Sequence, residues 1–382
     1  MSYLLNGREQ RILEDAIAYG KRHFEPYAAQ WESEGRFPSE TYTRLGADGY
    51  LGMYIDKTLG GQSMSFLESA LIYEGLSRSS FSMTLAIECH NNMSYEMSIF
   101  DTSDEVKGLL PGMVGGDELL AFGLTEPQAG SDPNSMSSYA TPVEGGYLLN
   151  GLKTWVTNGC EATQFDVTVK LGGADERQMV TFLIDMFTEG LEIVSDTKTM
   201  GGNLLSKAVI RMTDCFVPAS RLVSRNGYKD AIFSVLIARI FTPAMAIGLC
   251  EEAIESTAEY LGERIQFGRP LLSNQTIQWE LGELQAKVEA GRQLVYHTAA
   301  MMDTGVMPKR EAAMSKLFCG DLAMEVTTAC CQLMGAEGYR TGSKIERLFR
   351  EAKMASIIDG TSEIQKLLLG ADLVKRYVGR EY

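Results

Sequence analysis

Hydrophobic positions change their spacing twice along the chain. From residue 7 to about 115 they recur at helical intervals. Arg8 to Glu32 carries Ile12, Leu13, Ala16, Ile17, Tyr19 and Phe24, which predicts one long helix. Gly60-Gly61 marks a loop, and helical spacing resumes from Ser65 to Leu76. A further helix follows Ser82, with Leu85, Ala86 and Ile87 and then the polar run Glu88, His90, Asn91 and Asn92. Pro111 and Gly115-Gly116 punctuate its end.

From Leu119 to about Val223 short β-rich runs replace the helical pattern: Leu119–Leu124, Tyr147–Asn150, Asp166–Lys170, Met179–Asp185, Leu191–Val194 and Lys207–Phe216. Turn residues separate them at Glu144-Gly145-Gly146, Asn150-Gly151, Gly172-Gly173 and Gly201-Gly202. These runs predict a β insert of barrel or sandwich type. Helical spacing returns over Asp230–Leu261, Thr276–Thr304, Arg310–Gly335 and Ile364–Val378, with more apolar surface than one helix can bury, so a four-helix bundle is expected. The expected architecture is α+β and multidomain: a helical domain at 1–118, a β domain at 119–227 and a helical bundle at 228–382.

Composition narrows the function. A formal net charge of −15 argues against nucleic acid and anionic membranes as partners. The longest apolar stretch, Ser234 to Cys250, is interrupted by Arg239, Thr242 and Pro243 and predicts a buried helix, not a membrane span. The N-terminus has no basic segment followed by an apolar core, so a cytoplasmic location is expected. Seven cysteines without a C-x-x-C pair and three scattered histidines make a metal site unexpected. Neither a G-x-G-x-x-G after a strand nor a P-loop is present.

Five segments carry candidate chemistry. Ile357-Ile358-Asp359-Gly360-Thr361-Ser362-Glu363-Ile364-Gln365 is a turn that opens an amphipathic helix. A carboxylate held against apolar surface gains basicity, which suits proton abstraction; Asp359 or Thr361 could equally be a helix cap. Leu124-Thr125-Glu126-Pro127-Gln128-Ala129-Gly130-Ser131-Asp132 ends a β run in a turn able to hold a polar heterocycle or an anion. Lys153-Thr154-Trp155-Val156-Thr157-Asn158-Gly159 sets a Trp face and a Thr hydroxyl near a strand end. The pair could also be two ordinary loops. Glu263-Arg264-Ile265-Gln266-Phe267-Gly268-Arg269-Pro270 follows a long helix and predicts its termination at Gly-x-Pro, with basic residues against the dipole. The polar run Glu88 to Asn92 is either a satisfied buried cluster or the polar end of a pocket.

Together with Gln332–Gly338 and Arg350-Glu351-Ala352-Lys353, these segments resemble, in order, the motifs of the acyl-CoA dehydrogenases. The resemblance covers nearly the whole chain. It implies an FAD-dependent enzyme that removes two hydrogens beside an acyl-CoA thioester, with Asp359 as the base where the family usually carries Glu. It implies that Phe122, Leu124, Thr125, Trp155 and Thr157 surround the flavin ring, and that Thr361 and Glu363 also lie on the cofactor. Arg264, Gln266, Phe267, Gln332 and Gly335 would reach the FAD of a neighbouring subunit. Ser131, Arg239, Ile358 and Gly360 would line the thioester site, with Glu88, His90 and Asn91 at the floor of the acyl pocket. The chain departs from the family pattern at Gln128 and Ala336, each in place of a Gly. Leu236 replaces an acid used on the pantetheine, and Ala238 leaves no acid before Arg239 for an alternative base.

The resemblance further implies a homotetramer that passes electrons to electron-transfer flavoprotein, with short branched or alicyclic acyl groups preferred. An acyl-carrier-protein thioester, an Asp-based flavin oxidase and a non-catalytic flavoprotein are the other readings.

Overall fold

The computed structural model describes residues 5–172 and 177–379. Gly173 of the expected turn and Met1–Leu4 lie outside them. The first part is helical: α1 Gly7–His23, α2 Glu25–Glu34, α3 Glu40–Ala47, α4 Phe66–Ser77, α5 Phe81–Ile99, α6 Asp104–Lys107 and α7 Leu110–Gly115. The single helix expected over Arg8 to Glu32 is therefore two. Pro26 has no N–H to continue the ladder, so the chain breaks at Phe24 and Pro26 enters the first turn of α2. The apolar spacing continues across the break because both helices bury their faces in one core.

The middle part is one mixed sheet. Its strands are β1 Leu120–Gly123, β2 Tyr139–Val143, β3 Gly146–Thr157, β4 Gln164–Leu171, β5 Met179–Asp185, β6 Leu191–Asp196, β7 Lys207–Pro218 and β8 Leu222–Ser224. They are ordered β6-β7-β3-β2-β4-β5-β8, with β1 paired to β4. β1 and β2 both run parallel to β4, and the β1–β4 register sets Phe122 opposite Asp166. Asn150-Gly151 is not the expected turn. It lies inside β3 at a register shift against β7. Gly151 has φ +148°, and a Cβ there would fall 2.0 Å from Ser138 Oγ, so a close approach of chains explains the glycine. The sequence pattern missed β2, which contains Pro142, and β8, which is three residues long.

The last part comprises α8 Gly227–Glu263, a small hairpin of β9 Ile265–Gln266 and β10 Arg269–Pro270, α9 Gln275–Asp303, α10 Lys309–Met334, α11 Ala336–Tyr339, α12 Lys344–Ala355 and α13 Ser362–Val378. The 37-residue α8 is the axis of the molecule, packing on α4 and α5 on one side and on α9, α10 and α12 on the other. One apolar core thus joins the N-terminal helices to the C-terminal bundle, while the sheet has a core of its own. The most apolar stretch of α8 is 78% buried, which identifies it as a core helix.

Candidate active site

The loop between α12 and α13 presents Asp359. Its backbone is left-handed, with φ +56° at Asp359 and +93° at Gly360. Asp tolerates that region better than most residues, though at a cost of roughly 1–2 kcal/mol. Neighbours hold the turn in place. Arg239 Nε donates to the Asp359 carbonyl at 2.8 Å, and Gln365 Nε2 donates to the Gly360 carbonyl at 2.8 Å. A Cβ at Gly360 would meet Arg239 Nη2 at 2.9 Å, so only glycine lets the guanidinium come this close. Thr361 caps α13 by accepting the Ile364 N–H at 3.4 Å, which leaves the Asp359 side chain free of capping.

The Asp359 carboxylate meets α8. Thr242 Oγ1 donates to its Oδ2 at 2.6 Å. Burial pushes the Asp359 pKa above the ordinary carboxylate range, against the opposing pull of the Thr242 hydrogen bond and the charges of Lys316 and Arg239. Lys316, on α10, is itself buried, and its Nζ has no hydrogen-bond partner among the described residues. Burial brings its pKa down to about 8, partly offset by Asp359. Neither Thr242 nor Lys316 was expected from the sequence. Thr242 stands one helical turn beyond Arg239, and Lys316 is a lone cation among Ala312, Ala313, Ser315 and Cys319, so helical spacing held the clue to both.

On α5, Glu88 lies within reach of the Asp359 charge. It is 3% exposed and its Oε1 has no partner among the described residues. Burial, then the Asp359 charge, raises its pKa well above the usual value. His90 and Asn91, expected with Glu88 on the pocket floor, have hydrogen-bond partners of their own. His90 Nε2 meets the Met113 carbonyl at 2.8 Å, and its Nδ1 accepts the Leu120 N–H at 3.3 Å. Burial lowers its pKa to about 4, so the ring is neutral and ties α5 to α7 and β1. Asn91 Oδ1 accepts from Gly52 N–H at 2.8 Å, and its Nδ2 donates to the Tyr50 carbonyl at 3.0 Å and the Tyr73 hydroxyl at 3.1 Å. At about 100° per residue His90 points well away from Glu88, whereas Asn91 shares the Glu88 face but is taken up by its own partners.

The two loops at 124–132 and 153–159 form one body. Thr154 N–H donates to the Thr125 carbonyl at 2.9 Å. Beneath them Lys153 Nζ bonds Glu126 Oε1 at 2.8 Å and the Leu124 carbonyl at 3.1 Å, both charged side chains being fully buried. Burial alone would raise the Glu126 pKa, but Lys153 and the donors at Ser137 and Ser138 bring it to about 2. This clamp leaves Trp155 standing out at the bulge in β3, with φ +60° and its residue 55% exposed. Asn158 then anchors the strand end, donating to the Ala86 carbonyl on α5 at 3.0 Å and accepting from Tyr42 at 3.0 Å. Phe122, Leu124, Thr125 and Thr157 are partly buried around this platform, and Ser131 is exposed on the turn. An exposed indole on a rigid mount beside apolar side chains fits a flat cofactor ring.

The long helix ends where the Glu263–Pro270 segment begins: Arg264 is the C-cap of α8, its N–H donating to the Tyr260 carbonyl at 2.9 Å. Gln266 and Phe267 then lie in the β9–β10 hairpin, whose turn has φ +51° at Phe267 and +77° at Gly268. Arg264, Gln266 and Phe267 are exposed, Phe267 to 98%, as are Gln332 and Gly335 at the end of α10. Of the remaining expected residues, Ile358 packs on the main core and Glu363 is exposed in the first turn of α13.

A buried carboxylate of raised basicity and a rigid mount for a flat ring are two parts that a flavin-dependent oxidoreductase needs. Three models of the acyl-CoA dehydrogenase family match the chain: the N-terminal domain over residues 7–117, the middle domain over 121–215 and the C-terminal domain over 225–374. The chain is 31% identical to benzylmalonyl-CoA dehydrogenase of Aromatoleum aromaticum over 96% of its length and 98% of that protein. Its fold is similar to butyryl-CoA dehydrogenase of Megasphaera elsdenii, with a TM-score of 0.93, 28% identity and coverage of 98% and 100% of the two chains. The FAD complex of PigA gives a TM-score of 0.91 at 26% identity, over 98% and 100%. The protein belongs to the acyl-CoA dehydrogenase family, and it is an FAD-dependent oxidoreductase.

Proposed function

We propose that the protein carries out α,β-dehydrogenation of a short branched, alicyclic or otherwise functionalised acyl-CoA, with Asp359 as the base. The observation that carries this reading is the Asp359 carboxylate itself, basic through burial and aimed by the 2.6 Å hydrogen bond from Thr242. Asp359 takes the α-proton, and Thr242 keeps the receiving carboxylate in one orientation. The Asp359 backbone N–H is positioned to hold the thioester oxygen as charge develops on it, an oxyanion-hole role. Arg239 and Gln365 brace the loop that carries both groups. Asp is about one bond length shorter than Glu, so the substrate must lie close to the loop.

Bound FAD supplies the acceptor for the β-hydrogen. Trp155 with Phe122, Leu124, Thr125 and Thr157 would hold its ring system, Thr361 and Glu363 would touch it from the catalytic loop, and Ser131 would meet the CoA. Arg264, Gln266, Phe267, Gln332 and Gly335 would close on the cofactor of a neighbouring subunit; the exposure of Phe267 supports this, since a large apolar side chain gains by burial against a partner. In this reading the enzyme is a cytoplasmic homotetramer and electron-transfer flavoprotein takes the electrons.

The test is an anaerobic screen of acyl-CoA thioesters for bleaching of the flavin. Reduction by short branched or alicyclic thioesters, lost in Asp359→Asn, is expected. Bleaching that survives in Asp359→Asn would place the base elsewhere.

A further inference from the structure

Glu88, which the charge of Asp359 reaches, belongs to a larger buried polar group. Glu88, Asn92 and Glu96 follow at four-residue intervals and so share one stripe of α5. That stripe faces α8: Asn92 Nδ2 donates to the Ser234 carbonyl at 3.0 Å, and Ser234 Oγ donates to Glu96 Oε1. Asp166 joins from β4, opposite Phe122 in the register. All four side chains are at least nine-tenths buried. Their acceptor atoms Glu88 Oε1, Asn92 Oδ1 and both Asp166 oxygens have no hydrogen-bond partner among the described residues.

The signs of the surrounding charges are unequal along the site. The cations Arg239 and Lys316 act on Asp359, at the reacting end. The charges that act on Glu88, Glu96 and Asp166 are carboxylates: Asp359 on the first, Asp166, Asp230 and Glu88 on the second, and Asp230 on the third. An alkyl group against this stripe would leave buried acceptors unmatched, at a cost comparable to a lost hydrogen bond each. A carboxylate-tipped acyl group would bring a buried anion to a stripe on which no cation acts. An ammonium offers three donors and the opposite charge.

We propose that the acyl pocket takes a thioester whose acyl group carries an amine, held as an ammonium by Glu88 and Asn92 with Asp166 and Glu96 behind them. This rests on the dehydrogenase reading above and names the substrate class for the same site.

The test uses holoenzyme under anaerobic conditions and three thioesters matched in length: δ-aminovaleryl-CoA, hexanoyl-CoA and glutaryl-CoA, with the homologues ε-aminocaproyl-CoA, heptanoyl-CoA and adipoyl-CoA. The aminoacyl member of at least one set is expected to reduce the flavin with a kcat/KM roughly tenfold or more above its methyl-ended partner, with the carboxylated member slowest. Glu88→Gln and Asp166→Asn should bring the amino-to-methyl ratio toward one, and the ratio is internal to each variant, so a loss of folded protein does not mimic the effect. Binding of the aminoacyl thioester should also release a proton, read with an indicator dye in weak buffer, because a buried neutral acid must ionise to pair with the ammonium. Methyl-ended thioesters equal to or better than the aminoacyl ones in both sets would overturn the proposal. If no thioester of any series bleached the flavin, the dehydrogenase reading itself would fall instead.

Discussion

Thr242 on the central helix α8 donates its hydroxyl to Asp359 at 2.6 Å across 117 residues of chain. The bond fixes one carboxylate oxygen and leaves the other to meet a substrate. It also favours the charged form, against burial. Removing it therefore has a definite sign: Thr242→Val should raise the Asp359 pKa further. With Asp359 as the proposed base, flavin reduction needs the carboxylate form, so its pH profile should move to higher pH in the variant. An acid-side midpoint that stays put would mean the bond does not tune the base.

Asp359→Asn should keep FAD and thioester binding and lose about 10²–10⁴-fold in the flavin reduction rate, because an amide cannot accept the proton. Asp359→Glu is informative in a second way. The left-handed backbone at this position suits Asp better than Glu. Glu should lower the melting temperature slightly, and if the pocket is shaped around the shorter acid it should also slow reduction by the preferred thioester. Faster reduction than wild type would show that Asp is merely tolerated there.

Lys153→Met should be costly to the fold. It leaves the Glu126 carboxylate buried beneath the Trp155 platform without its cation. Breaking one side of a buried pair typically costs about 3–5 kcal/mol. Denaturant unfolding should show that loss, and the variant should release flavin more readily because the mount of Trp155 loosens. A loss below about 1 kcal/mol would indicate that the pair is not essential to the platform.

Arg264→Ala tests the inter-subunit site. If the hairpin meets a neighbour's cofactor, FAD affinity should fall by about 2–5 kcal/mol, measured by flavin release on dilution. A stable monomer that retains FAD would count against this arrangement.

Asp166 supplies a stability prediction. Burial, then the charge of Asp230, raises its pKa from 3.8 to about 8. A raised folded-state pKa means that stabilisation by the neutral acid is complete below the unfolded value and is lost as pH climbs through about 8. Asp166→Asn keeps a neutral group at all pH values. Its melting temperature should therefore gain on wild type as pH rises from 6 to about 9. Parallel curves for the two proteins would show that Asp166 does not carry the titration.

The division of the chain into helical, β and helical parts was legible from spacing alone, because apolar periods of 3.6 and 2 follow directly from local backbone geometry. So were the long helices of the bundle, expected at Asp230–Leu261 and found at Gly227–Glu263, and the Asp359 turn with its capping Thr361. What local pattern could not supply was who meets whom. Thr242 and Lys316 are ordinary helix residues until the bundle brings α8 and α10 to the loop at Asp359. The run Glu88, His90, Asn91 looks uniform in sequence, yet the packing of α5 against α7, β1 and α8 leaves Glu88 unpaired within reach of the Asp359 charge and ties His90 and Asn91 to partners on other segments. Likewise Asp166 is one polar residue in a strand until the parallel pairing of β1 with β4 buries it. Residue order along a chain determines its elements; contacts between residues far apart in sequence depend on the long-range packing of apolar faces, and only the tertiary structure decides which polar groups that packing strands together.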